Sequence, residues 1–337
     1  MRALQNSHLK RAEGAYPPLE GEGRREAAGW GEKQPTLAVL APHPTAFGGR
    51  PPHAGGGRAA PLPVTQLHRE RPVLQLRGAA ATLAASVLAD SAMEHYRGSF
   101  HNRIMYVPLI CSALDIAASA QGASTHAGRT GRSLVYWAGI AVGAAGAGFH
   151  FYNVGKRVGG FRWENFFYGA PVGAPFALIL SGLTGLAADR IASARESHKK
   201  PRFMGLSAGR ALAALSSIGL LGATAEAALL HFRGSFQNPA MFLPVTLPPI
   251  AAALTAEAAL NPAPRKRPLA RFWLGLTSFL GMAGVGFHSY GVSRGMGGWR
   301  NWRQNALDGP PIPAPPSFSG LALAGLAALN LIEGERQ

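Results

Sequence analysis

Four histidines recur at matched positions in the two halves of the chain. His95-Tyr-Arg-Gly-Ser-Phe-His-Asn102 returns as His231-Phe-Arg-Gly-Ser-Phe-Gln-Asn238, an offset of 231 − 95 = 136. Gly148-Phe-His-Phe-Tyr152 returns as Gly286-Phe-His-Ser-Tyr290, an offset of 288 − 150 = 138. Around them Asp90 matches Glu226, Met105 and Pro108 match Met241 and Pro244, and Gly159-Gly-Phe-Arg162 matches Gly297-Gly-Trp-Arg300. The matches keep their order in both halves, which is the signature of an internal duplication.

The chemistry open to such a set is metal ligation. His95 and His150 close two apolar segments that run in the same direction, so their imidazoles are expected at one depth, and His231 with His288 repeats the pattern. Two imidazoles at one depth on neighbouring helices suit bis-histidine ligation of a haem iron, here a b-type haem in each half. Arg97 and Arg233 follow the first histidine of each pair by two residues and are candidate partners for haem propionates. Gly139, Gly143, Gly146, Gly281, Gly284 and Gly286 would leave room for a porphyrin, or for a neighbouring helix. His101 has become Gln237, which sets it aside. Three other readings remain open for the four histidines: structural caps on helix carbonyls, a non-haem metal site, and a quinone site.

Asp90 and Glu226 lie five residues before their histidines, about 140° around a helix, and so leave the imidazole face. An ionisable group at that depth is expected to make packing hydrogen bonds or to serve a proton route. Asp115 is matched by Ala251, which argues against a role shared by both halves. No Walker loop, dinucleotide fingerprint, HExxH helix or Ser–His–Asp set appears, so no catalytic residues are assigned and a self-contained hydrolase or nucleotide enzyme is not expected. Cys111 is the single cysteine, which excludes disulfides and thiolate zinc clusters.

The elements that must hold these residues are apolar. Hydrophobic residues make up 47% of the chain and charged residues 15%, against roughly 25% charged in an ordinary soluble domain. The mean hydropathy of +0.06 understates this, because residues 1–70 are rich in Gly, Pro, Arg and His while the apolar residues concentrate after Val73. Eight apolar stretches follow, near 78–96, 104–120, 133–152, 176–192, 211–232, 240–258, 272–289 and 317–332. Each approaches the length a membrane helix requires, and their Ala, Leu and Gly content favours helix over strand. The alternative, a water-soluble bundle, would need core helices with almost no polar face.

The expected fold is therefore an all-α integral membrane protein: two tandem, parallel four-helix repeats at 71–198 and 205–337, after a disordered tail at 1–70. No secretory signal peptide is visible before the first apolar run. Lys and Arg are denser around Arg69–Arg77, Arg129–Arg132, Arg195–Arg210 and Arg265–Arg271 than around Arg97–Arg103, Lys156–Arg162, Arg233 and Arg294–Arg303. The positive-inside bias then puts the first group, and both termini, in the cytoplasm, with a bacterial inner membrane as the expected setting. The formal charge of +16 is distributed over these flanks and the tail, which suits membrane topology better than nucleic-acid binding. Arg-Gly-Ser-Phe reads as a tight turn in which Gly98 and Gly234 supply backbone freedom. The long loops 153–175 and 291–316 carry Trp163, Phe167, Trp299 and Trp302, as an aromatic belt or an interfacial docking segment would.

The function expected from these features is a membrane-anchoring electron-transfer subunit that binds two b-type haems and passes electrons between a peripheral oxidoreductase and quinone. A small-molecule or ion transporter using the pseudo-twofold axis, and a cofactor-free scaffold, are the alternatives.

Overall fold

The computed structural model describes residues 64–121, 126–263 and 265–334. Ten helices and one small hairpin follow in chain order: α1 Val64–Arg97, α2 Val107–Ala120, α3 His126–Gly155, α4 Trp163–Tyr168, α5 Gly173–Glu196, β1 Arg202–Phe203, β2 Leu206–Ser207, α6 Ala208–Arg233, α7 Leu243–Leu260, α8 Pro268–Ser293, α9 Trp302–Asp308 and α10 Pro316–Gly334. Most of the expected tail lies outside the described residues. Its last stretch is already helical, because α1 begins at Val64 and carries Pro72 within it.

Among the described residues, eight helices are long and apolar enough to cross a membrane, and they coincide with the eight apolar stretches. The protein is thus an all-α, multi-pass membrane protein. Its outer surface bears this out: Ile218 and Phe279 are each 69% exposed, and Leu134, Trp137 and Phe272 are exposed too. Contiguous apolar surface of that kind belongs against lipid, where every backbone polar group must be paired within its own helix.

The helices form a layered arrangement. α1, α5 and α10 are the most enclosed, while α2, α3, α7 and α8 present most of their surface outward. α1 packs against α2, α5 and α10, and α10 packs in turn against α6 and α8. The contacts are made by small residues: Ala79, Ala80, Ala84, Ala322, Ala327 and Ala328 are essentially fully buried. A Cβ at Gly320 would meet Leu83 Cγ at 2.8 Å and the Ala79 carbonyl at 3.1 Å, so α1 and α10 approach to backbone contact there.

Within each half the four long helices alternate around a square. α2 and α5 each pack against both α1 and α3, and α7 and α10 each pack against both α6 and α8. The two histidine-bearing helices of each half are therefore diagonal. Their C-terminal ends gather at one end of the bundle, the histidine end, and Arg77, Arg132, Arg210 and Arg271 lie toward the other.

Between α5 and α6 the chain makes a two-residue hairpin, in which Arg202 pairs with Ser207 and Phe203 with Leu206. Met204 and Gly205 both have positive φ, 49° and 79°, as the tightest hairpin turn requires. α4 and α9 are short helices in the two long loops, and each docks on the other half. Arg233 of α6 donates to the Phe167 carbonyl at 2.8 Å, and Phe232 stacks on Phe167 with centroids 5.9 Å apart. Arg303 of α9 lies over the ring of Tyr96 on α1, 5.2 Å from its centroid.

Candidate functional site at the histidine end

His95 and His231 are held by the same turn. After each helix the chain passes through Gly98-Ser99-Phe100 or Gly234-Ser235-Phe236, and in both copies Ser has φ 58° and Phe φ 44°. Consecutive left-handed residues with side chains are strained, by on the order of 1–2 kcal/mol each. Hydrogen bonds offset that strain: Phe100 N–H donates to the His95 carbonyl at 2.9 Å and Phe236 N–H to the His231 carbonyl at 3.0 Å. The phenylalanine so placed meets the imidazole edge to face, at 6.1 Å from His95 and 6.2 Å from His231. Its other side stacks on Tyr106 at 4.3 Å, or on Phe242 at 4.5 Å. The glycines are not the residues with left-handed backbone here, contrary to the sequence expectation. A Cβ at Gly98 would instead stand 3.3 Å from the Met105 methyl, and one at Gly234 3.1 Å from that of Met241. Asn102 and Asn238 close the turn by accepting from the N–H of Ile104 at 3.0 Å and of Ala240 at 2.9 Å.

All four histidines contact a backbone carbonyl through Nδ1. His95 meets Met105 O at 2.6 Å and His231 meets Met241 O at 2.8 Å, while His150 meets Pro171 O and His288 meets Pro311 O at 2.6 Å. A carbonyl accepts only, so each Nδ1 must carry the proton, and in the neutral imidazole Nε2 keeps its lone pair. This is the orientation and tautomer that a metal-ligating histidine takes.

Of the two expected pairs, the second half shows the approach of the rings most directly. His231 and His288 have ring centroids 6.4 Å apart and planes at 64°, and His95 lies within electrostatic reach of His150. Two iron–nitrogen bonds of about 2 Å, with roughly 1 Å from each nitrogen to its ring centre, put two axial imidazoles about 6 Å apart. Among the described residues no group of three or more His, Cys, Asp or Glu side chains converges.

The supporting cast assigned from sequence does not hold its expected place. Arg97 is paired on its own helix, its Nη1 donating to Glu94 at 2.7 and 2.9 Å, and Arg233 is engaged with the Phe167 carbonyl. Neither guanidinium faces propionates in this arrangement. Four of the six glycines expected to make room, Gly139, Gly143, Gly281 and Gly284, are packed against a neighbouring helix or its leading proline, whereas Gly146 makes ordinary contact with Pro175 and Gly286 has nothing within 4 Å. Cβ atoms would stand 2.8 Å from Asp115 Oδ2 at Gly139, 2.7 Å from the Pro175 carbonyl at Gly143, 2.8 Å from the Pro315 carbonyl at Gly281 and 2.6 Å from Pro315 Cβ at Gly284.

Asp90 and Glu226 are near enough for their charges to interact across the junction of the two halves. Glu226 Oε1 accepts from the Gly173 N–H at 3.0 Å, capping the first turn of α5. A Cβ at Gly173 would fall 1.6 Å from Glu226 Oε2, so only glycine admits the carboxylate there. No hydrogen bond to Asp90 occurs alongside this cap.

Two further features escaped sequence reasoning. Asn165 donates to Gly160 O at 2.6 Å and Asn305 to Gly298 O at 3.0 Å, pinning the Gly-Gly turns in both long loops. The asparagine follows its glycine by five residues in the first loop and by seven in the second, so equal spacing did not mark it. At the arginine end, Asp189 accepts from Arg132 at 3.0–3.2 Å and from Arg77 at 3.3 Å. Arg77 and Arg132 are helix residues, not loop charges as the topology count took them to be. No family model matches the chain, and neither curated proteins nor solved structures give a match.

Proposed function

We propose that the protein is a membrane-embedded redox subunit built from two tandem four-helix units, with one b-type haem ligated in each. His95 with His150 and His231 with His288 are the axial pairs. Four imidazoles whose Nδ1 atoms are all held by backbone carbonyls, so that Nε2 is the nitrogen available to a metal, in two diagonal sets, carry this reading. The 6.4 Å separation of His231 and His288 fits two ligands on one iron. Haem supplies one-electron chemistry when bound; the chain's own contribution is to fix ligand tautomer and orientation. In this reading the arginine end faces the cytoplasm, and electrons pass between a peripheral oxidoreductase and quinone, with α4 and α9 as the surface that meets them.

The test is expression with excess haem, purification in detergent and an optical spectrum. A Soret band with α and β bands on reduction is expected. A colourless protein rejects the reading.

A second reading has its own observation. The approach of Asp90 to Glu226 at the junction of the halves is the placement a transporter using that axis would need. Substrate-dependent flux in proteoliposomes, abolished by Asp90→Asn with haem absent, would favour it.

A further inference from the structure

The buried face of α2 is polar. Ser112, Asp115 and Ser119 are spaced i, i+3 and i+7, share one side of the helix and are 0%, 0% and 6% exposed. A membrane helix that turns its polar stripe inward has a function for it by default.

Among the described residues Asp115 joins no ion pair, its Oδ1 has no hydrogen-bond partner, and neither does the neighbouring Ser112 Oγ. Its Oδ2 is 3.0 Å from Ser181 Oγ on α5, and that hydroxyl is also 3.0 Å from the Ala80 carbonyl on α1. Ser181 has one hydrogen. Ala80 O can only accept, so with a charged Asp115 the one hydrogen of Ser181 is split between two acceptors, whereas a protonated Asp115 donates to Ser181 and leaves Ser181 free to donate fully to Ala80. Asp115 then holds a proton. A charged carboxylate here would be buried with no compensating cation, which folding disfavours strongly.

From Asp115 a buried polar series leads to the arginine end. One turn along α2, Ser119 Oγ is 3.1 Å from the Tyr136 hydroxyl of α3. Tyr136 is fully buried, and its ring fits because a Cβ at Gly185 would fall 2.3 Å from Tyr136 Cε1. Tyr136 is in electrostatic reach of Asp115 on one side and of Asp189 and Arg77 on the other, and Cys111 is the other titratable neighbour of Asp115. Asp189 is bonded to Arg132 and Arg77, and Arg77 Nη1 reaches the Gln121 carbonyl at the end of α2 at 2.7 Å.

The second half lacks the series. At the sequence offsets of the repeat, which grow from 136 to 140 along the unit, Pro248 replaces Ser112, Ala251 replaces Asp115, Leu274 replaces Tyr136 and Leu329 replaces Asp189. Thr255, in place of Ser119, turns its hydroxyl back to the Ala251 carbonyl at 2.7 Å.

From this asymmetry we infer that the first four-helix unit contains a proton half-channel, leading from the Asp189–Arg132 cluster through Tyr136 and Ser119 to a protonated Asp115. Asp115 gives up its own proton at Oδ1, toward Ser112, as the arriving proton replaces it, and each hydroxyl accepts a proton on one side and releases one on the other, so the relay is left unchanged. Asp115 Oδ1 and Ser112 Oγ are the groups left open on the far side of Asp115. The inference goes beyond the haem reading and does not require it.

Infrared difference spectroscopy of the purified full-length protein in lipid nanodiscs at neutral pH tests it. The carbonyl stretch of a protonated carboxylic acid, shifting in D2O, is expected in the wild type. It should disappear in Asp115→Asn and move, rather than vanish, in Asp115→Glu. Tyr136→Phe and Ser119→Ala should each slow the D2O shift at least tenfold. A wild-type band that survives Asp115→Asn unchanged overturns the protonated Asp115. Wild-type exchange rates in both hydroxyl variants overturn the path. Haem content enters none of these readouts.

Discussion

His231 and His288 sit 6.4 Å apart between ring centroids, yet each is anchored by a different loop: His231 by the Met241 carbonyl and His288 by the Pro311 carbonyl. The pair is therefore only as rigid as those two loops. On the His231 side the rigidity comes from a strained turn. Ser235→Gly should relieve a φ of 58° and raise stability by up to about 1 kcal/mol. Phe236→Ala removes the ring lying between His231 and Phe242 and should lower stability by about 2 kcal/mol. Thermal unfolding in detergent separates the two signs.

The junction of the halves depends on Gly173 and Glu226. Gly173→Ala drives a methyl into the Glu226 carboxylate and should cost about 1–3 kcal/mol. Glu226→Ala removes the cap on α5 and should cost about 1 kcal/mol. Because the two residues touch, the double variant should fall short of the sum. Additive losses would show that the contact does not form.

At the arginine end, Arg132 and Asp189 are 3% and 5% exposed and bonded to each other. Removing one partner strands a buried charge, so Arg132→Ala and Asp189→Ala should each destabilise by about 3–5 kcal/mol. Arg132→Leu combined with Asp189→Leu should recover part of that loss, as read by unfolding in the same detergent.

The helices were legible because the eight apolar stretches are long and separated by Pro, Gly and Arg. Their ends were less so: α1 and α3 extend past their apolar parts, because Arg77 and Arg132 are satisfied by Asp189, a partner more than fifty residues away in sequence. The turn that carries His95 and His231 was legible because the same residues recur in both halves. The companions of the histidines were not. Arg97 has a nearer carboxylate in Glu94, and the glycines of α3 lie against Pro175 and Asp115, neighbours that spacing along one helix cannot disclose. Asp115 was set aside because its counterpart is Ala251, a comparison that sees shared roles only. The i, i+3, i+7 stripe of Ser112, Asp115 and Ser119 was the signal that remained.

The assigned orientation predicts which loops face which compartment. With Cys111 replaced by Ser, Met204→Cys on the hairpin between α5 and α6 and Met296→Cys in the loop after α8 are both well exposed, at 61% and 90%. An impermeant maleimide should label Met296→Cys in intact cells, and Met204→Cys only after the membrane is opened. The reverse pattern inverts the topology and places the Asp115 relay on the opposite side.

The most direct measurement of the central claim is haem stoichiometry, determined as pyridine haemochrome per mole of purified protein. The account predicts about two haems in the wild type and about one in either His150→Ala or His288→Ala, since each substitution removes one ligand from one pair. The combined variant should bind none. A wild type that binds no haem, or a pair of variants that both retain two, contradicts it.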